Sequence, residues 1–206
     1  MKKFLIAGIL GLAVLDSPVY DQGYIQLYNN NAANLITYGD TYTGHPVGEP
    51  VAGYNVGMFY FVGDIAATVN AAFSPEDRFG YWTMVDNGMV VATGNGATAV
   101  LGANGFPAGM YGSSDTFLVP GASAGSVITV VVVAYNTFAY VASPFGGHSQ
   151  AFTMIAGTST SAPSTGDYMN AFQVGSFFIP EPTSFTLVGL GLGVLSLWRR
   201  LKVIAS

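Results

Sequence analysis

The side chains able to do covalent or metal chemistry are few, and they stand apart from one another. Gly121-Ala122-Ser123-Ala124-Gly125 has the G-x-S-x-G form of a nucleophile elbow, in which a sharp strand-to-helix turn exposes a serine hydroxyl. Such an elbow needs a helix after the serine. Here Ser126-Val127-Ile128-Thr129-Val130 follows, a run rich in β-branched residues, so Ser123 is expected in a tight loop between two strands. A serine hydrolase also needs a base, and the chain offers only His45, before Pro46, and His148, after Gly146-Gly147. Both are expected as solvent-exposed loop residues, and a pair of histidines alone is a weak argument for a metal. Gly94-Asn95-Gly96-Ala97-Thr98-Ala99 has the G-x-G-x-x-A spacing of a dinucleotide fingerprint. It lacks the strand-helix-strand setting and reads as a glycine-rich turn.

Carboxylates are equally scattered: Asp64, Glu76, Asp77, Asp86, Asp115 and Asp167 fall among loop-like stretches. Glu76-Asp77 beside Arg78 reads as a solvated turn before it reads as a calcium site, because calcium gathers roughly six to eight oxygens at once. An enzyme would require His45 or His148 within hydrogen-bond reach of Ser123 or of a carboxylate. The expectation is that the chain is not an enzyme and carries no catalytic, cofactor or metal residues. Tyr81 and Trp82 are adjacent, so strand alternation would send them to opposite faces, where one is able to stack on a sugar ring. Core packing is the expectation for Trp82.

Composition narrows the classes further. The chain has 206 residues, enough for one domain with short end segments, and half of them are hydrophobic, which supports a buried core. Charged residues make up only 8 %, against roughly 25 % in ordinary soluble domains. Of the basic residues, Lys2, Lys3, Arg199, Arg200 and Lys202 sit at the ends, leaving Arg78 in the body. A nucleic acid partner is excluded on this ground, since neutralising phosphates takes a basic patch. The absence of Cys removes disulfides, thiolate metal sites and cysteine nucleophiles together.

The two ends carry targeting patterns. Met1-Lys2-Lys3 followed by the apolar stretch 4–15 has the basic and apolar regions of a secretory signal, so residues 1–22 are expected to direct export. The stretch Asp16-Ser17-Pro18-Val19-Tyr20 lacks the small-x-small pattern of a cleavage site, which leaves the cut unassigned. At the other end, Ile179-Pro180-Glu181-Pro182-Thr183-Ser184 precedes an apolar run, 185–198, and then Arg199-Arg200-Leu201-Lys202. The prolines break incoming structure, the run is apolar enough to enter lipid as a helix, and the arginines would stay on the cytoplasmic side. The run is shorter than the roughly 20 residues of a full crossing, so Trp198 and the arginines are expected at headgroup level. Gly189 and Gly193 form a GxxxG pair, a weak signal for dimerisation.

Taken together, the Pro180-Glu181-Pro182 tripeptide, the apolar run and the Arg-rich end resemble the PEP-CTERM sorting signal of Gram-negative bacteria that make exopolysaccharide. The resemblance covers 179–206. It implies an exosortase partner, with Pro180, Glu181 and Pro182 as the recognition motif and Arg199 and Arg200 as the membrane stop. It also implies anchoring in the inner membrane through a C-terminal transmembrane helix before processing, then residence at the cell surface or in an exopolysaccharide or biofilm matrix. Two features depart from the pattern: Leu201 interrupts the basic cluster, and 203–206 extend past it. In the body, Gly23-Tyr24-Ile25-Gln26-Leu27-Tyr28-Asn29, the long apolar run 126–135, Tyr140-Val141-Ala142 and Phe152 resemble the β-rich bodies of exported PEP-CTERM proteins of the verrucomicrobial kind.

Read from its own residues, the body over 23–178 is all-β, a single β-sandwich or jelly-roll-like domain. β-branched and aromatic runs alternate with Gly, Asn and Pro, and strands are expected over 24–28, 35–38, 54–62, 81–85, 89–93, 116–119, 126–135, 138–141, 151–155 and 171–178. Asp86-Asn87-Gly88 reads as a hairpin turn between two of them. The segment 126–135 is apolar on both faces and belongs at the centre. Residues 64–73 fit either a short helix or an irregular strand, and 158–166 has the Ser, Thr and Pro composition of an exposed loop or linker. The functional expectation is an exported structural or adhesive surface protein. The alternative is a carbohydrate-binding module with aromatic side chains displayed on one face.

Overall fold

Val, Ile and Thr fill 127–133, and β-branched side chains of this kind favour the pleated backbone. In the computed structural model, which describes residues 22–73 and 80–176 apart from the side chain of Tyr42, that run is the central strand of an all-β body. In chain order the strands are β1 (Gln22–Ile25), β2 (Tyr28–Asn29), β3 (Ile36–Tyr38), β4 (Asn55–Val62), β5 (Val90–Val91), β6 (Ala99–Val100), β7 (Tyr111–Gly112), β8 (Phe117–Ser123), β9 (Val127–Tyr135), β10 (Phe145–His148), β11 (Phe152–Ile155) and β12 (Phe172–Ser176). Two short helices, α1 (Ala66–Ala72) and α2 (Tyr81–Asp86), interrupt them. The segments 1–21, 74–79 and 177–206 lie outside the described residues, and with them the expected signal segment, the expected Glu76-Asp77-Arg78 turn, and the expected sorting motif Pro180, Glu181, Pro182 and stop Arg199, Arg200.

The largest sheet runs β3-β12-β10-β9-β4, with β5 and β6 along the outer edge of β4 and β11 continuing beside β9. β12 pairs with β3 in parallel, and the other pairs are antiparallel. Two small antiparallel sheets, β1-β8 and β2-β7, complete the pairing.

The register of β4 against β9 runs from Asn55↔Tyr135 to Val62↔Ile128, and side-chain alternation splits both strands between two cores. On one face Ile128, Val130, Val132 and Ala134 join Val56, Met58 and Tyr60 against Ile25, Leu27, Tyr111 and Val119. On the other, Val131, Val133 and Tyr135 join Phe59 against Val69, Met84 and Tyr140. The expectation of a strand apolar on both faces thus holds for physical reasons: each face has its own cover. Where β10 gives way to β11, Ser149 keeps the ladder whole. Its N–H donates to Val132 O at 2.8 Å, and its Oγ accepts from Val132 N–H at 3.0 Å.

Several expectations are corrected. Residues 81–85 are helical, not extended. The helix ends in a Schellman arrangement, with Met89 N–H donating to Met84 O at 3.0 Å and Gly88 N–H to Val85 O at 2.9 Å. Met84 and Met89 are both buried there, which draws the turn onto the core. Asp86-Asn87-Gly88 is therefore a helix stop, not a hairpin, although the positive φ that the triplet signals is present at Gly88 (φ 80°). Trp82 consequently lies on the outer side of α2 at 65 % exposure while Met84 faces inward.

Residues 138–141 form a loop with a 3-10 turn, Tyr140–Ala142. Ser143 ties that loop down, as its Oγ accepts from Asn136 N–H at 3.1 Å and lies against Asn136 Oδ1 at 2.6 Å and Phe145 O. Finally, 158–166 is a loop, but exposed only over 159–161. Gln26 N–H donates to Pro163 O, Ser164 Oγ donates to Tyr28 O at 2.8 Å, and Thr165 is fully buried. The ambiguous stretch 64–73 resolves as α1, held by Asn70, whose amide exchanges bonds of 2.8 and 2.7 Å with the backbone of Ala151.

Two stability predictions follow from this packing. Met58→Ala, at a site 1 % exposed opposite Val132, is expected to cost about 2–5 kcal/mol in denaturant unfolding. Val127→Ala, at a site 39 % exposed, is expected to cost under about 1 kcal/mol. A Cβ at residue 88 would meet only Phe61 ring carbons at 3.6 and 3.9 Å, so Gly88→Ala tests conformation alone. It should lose about 1–2 kcal/mol, with Gly88→Asn closer to wild type.

Candidate functional site

At the end of the β4-β9 pair where Asn55 faces Tyr135, the loop 136–144 rises from β9. Asn55 Nδ2 donates to Thr137 O at 2.6 Å, and Thr137 Oγ1 donates to Ala139 O at 2.9 Å. Together with the Ser143 contacts these bonds fix the loop while Phe138, at its crest, stays 91 % exposed. Two cavities of about 450 Å³ each flank Phe138. They adjoin, since Thr98, Tyr135 and Phe138 line both.

The two halves differ in chemistry. One is walled by Phe59, Tyr81, Val91 and Tyr140 in addition to the shared residues. Its rings form a continuous chain, Tyr81 to Phe59 at 5.6 Å, Phe59 to Tyr140 at 6.3 Å and Tyr140 to Tyr135 at 5.9 Å, each pair edge to face. The other half presents Asn55, Asn104, Ser113 and Ser114. Among the described residues, no Asp, Glu, Lys, Arg or His lines either one. Burial pushes the Tyr135 phenol above its ordinary value, so the shared ring is a neutral hydroxyl at physiological pH.

Of the residues singled out for chemistry, His45 does reach a carboxylate, that of Glu49, on the open surface, while Ser123 and His148 stand apart. Ser123 closes β8 in a tight turn into β9, with Ser126 N–H donating to Ser123 O at 2.9 Å and Ser123 N–H to Ser126 Oγ at 3.0 Å. This is the expected strand-to-strand loop, without the helix an elbow requires. His148 lies on β10 opposite Val133, and Val127, beside the Ser123 turn, is six residues away along β9, about 20 Å at strand spacing. His148 is a correction: it is a half-buried strand residue, with Nδ1 2.9 Å from Ser149 O and its ring on Phe73 at 4.2 Å. His45 is exposed as expected, stacked on Tyr38 at 4.3 Å with Nδ1 3.2 Å from Glu49 Oε2. Among the described residues no cluster of three or more His, Cys, Asp or Glu is placed to hold a metal.

Gly94-Asn95-Gly96-Ala97-Thr98-Ala99 is a turn leading into β6, and Thr98 from it enters the groove wall. The groove was not legible beforehand, because its lining comes from seven separated stretches of chain. The visible signal was Phe138 set between Thr137 and Ala139 after a long apolar strand, and, away from the groove, the i,i+4 spacing of His45 and Glu49.

No family model, curated protein or solved structure matches the chain.

Several phenols titrate late. Tyr54 is pushed up to about 12, mainly by burial, with the nearby Tyr38 and Asp40 charges adding. Burial also raises Tyr38, Tyr60, Tyr111 and Tyr135. An unfolded tyrosine ionises near pH 10, so above that pH the unfolded chain binds fewer protons than the folded one and stability falls as pH rises. The contribution is complete below about pH 10 and is lost on the way to about 12. Denaturant midpoints should hold steady from pH 7 to 9 and drop beyond pH 10, with phenolate absorbance appearing in step with unfolding.

Proposed function

We propose that this chain is an exported surface or extracellular-matrix protein of structural or adhesive role, sorted through a PEP-CTERM-type tail and processed by an exosortase. The observation that carries this reading is the order Pro180-Glu181-Pro182, apolar run, Arg199-Arg200 at one end, with Lys2-Lys3 and an apolar stretch at the other. Before processing the tail helix anchors the chain in the inner membrane. Afterwards the body resides at the surface or in an exopolysaccharide matrix. Its β-domain is sandwich- or jelly-roll-like in this reading, supported by a core packed between the large sheet and strands of the two small ones. A non-enzymatic role is supported by Ser123 sitting in a hairpin far along β9 from His148.

A second reading, a carbohydrate-binding module displayed at the envelope, is favoured by the groove, where an aromatic wall meets amide and hydroxyl side chains.

The sorting claim is tested by expressing the full chain in hosts with and without an exosortase and following intact mass and fractionation. Loss of the segment after Pro182 only in the exosortase host, abolished by Pro180→Ala/Glu181→Ala/Pro182→Ala, is the expected result. An intact, membrane-bound product in both hosts would sink processing and leave a membrane-anchored β-domain.

A further inference from the structure

Phe138 is the most exposed large apolar side chain among the described residues, at 91 %. Leaving such a ring in water forgoes roughly 1.5–3 kcal/mol of burial. A slack loop would explain this, but the loop is not slack: Asn55 holds Thr137 O at 2.6 Å, Ser143 holds Asn136, and Tyr140 two residues on is buried. The backbone is fixed and the ring is presented. It stands between an aromatic cavity and a polar one, lining both, with Val141 and Val91 exposed beside it.

The chemistry of the walls selects the occupant. With no ionised side chain among the described lining residues, these walls have nothing to compensate a buried ligand charge, and an uncompensated charge is expensive to desolvate. The carboxylate of Asp115, its Oδ2 3.5 Å from Ser114 Oγ, sits at the polar rim and disfavours anions. A purely apolar chain would lie against the amide of Asn104 and the hydroxyls of Thr98, Ser113 and Ser114 without matching them. A pyranose satisfies both halves at once, since its C–H face packs on an aromatic ring and its hydroxyl edge exchanges hydrogen bonds with amides and hydroxyls. Each half, at about 450 Å³, is within the usual range of small-ligand sites.

We propose that this groove binds a run of an uncharged polysaccharide, with Phe138 and Tyr135 as the stacking platform and Asn104, Thr98, Ser113 and Ser114 as hydrogen-bonding partners to the sugar hydroxyls. The proposal rests on the carbohydrate-binding reading and gives it a place and a ligand class.

The test uses the full chain in a detergent without a sugar headgroup, titrated calorimetrically and by intrinsic fluorescence. The ligands are cellohexaose, maltohexaose, xylohexaose, a β-1,3-glucan hexaose, charged oligogalacturonate, and phosphatidylcholine/phosphatidylglycerol vesicles. Saturable binding of at least one neutral hexaose, tighter than oligogalacturonate, is expected. Phe138→Ala should weaken it about three- to tenfold with an unchanged melting temperature, and Phe138→Trp should retain it. Neutral-glycan binding that Phe138→Ala leaves untouched overturns the groove while sparing a carbohydrate-binding role elsewhere. Absence of binding to every neutral hexaose at millimolar concentration overturns both, and vesicle binding lost in Phe138→Ala would reassign the loop to a lipid surface. Tail processing is scored separately in the exosortase host, so its failure is not confused with failure of the groove.

Discussion

The antiparallel pairing of β4 with β9 is the constraint on which the rest of the structure depends. Both strands are covered on both faces, so the apolar residues 56–61 and 128–135 of this register are committed to one core or the other. A slip by one residue would send Met58 and Val132 to the face that α1 and α2 cover and bring Phe59 and Val131 against β1 and β8. The far end of the same pairing sets the groove. Tyr135 reaches it because β9 ends there, and Asn55, directly opposite, holds the loop that carries Phe138.

A chain with 8 % charged residues needs another source of polar cohesion, and uncharged side chains provide it by completing backbone pairing where secondary structure breaks. Ser149 fills the ladder beside Val132, Asn70 pairs with Ala151 as a strand would, and Thr129 Oγ1 both accepts from Ile65 N–H at 2.9 Å and donates to Gly63 O at 2.8 Å. These bonds hold buried backbone groups that would otherwise cost about 1–3 kcal/mol each. Unlike surface ion pairs they are insensitive to salt, which suits a body with few charged side chains, whose described His45–Glu49 contact is exposed.

Much of the sheet was legible because β9, β4 and β12 follow simple rules of apolar run and turn. What was not legible depended on partners distant in sequence. Tyr81-Trp82-Thr83-Met84-Val85 is made of residues that favour strands, and only Met84 and Met89 reaching the second core turn it into a helix. Trp82 was misplaced by the same error, since strand alternation does not apply on a helix. The stretch 158–166 has the composition of a linker, but Ser164 and Thr165 find Tyr28 across the fold. The groove draws on residues from 55 to 141, and no short window of sequence contains its pattern.

β12 is the last described strand, wedged between parallel β3 and antiparallel β10, and its final residue is gripped by Asp40, whose Oδ2 accepts from Ser176 N–H at 2.6 Å and from Ser176 Oγ at 3.0 Å. Sheet hydrogen bonds run across the strand axis. A mechanical load arriving from beyond Ser176 and directed along β12 therefore shears the pairs on both flanks together instead of peeling them one after another. A body held from that side meets traction with its full strand width.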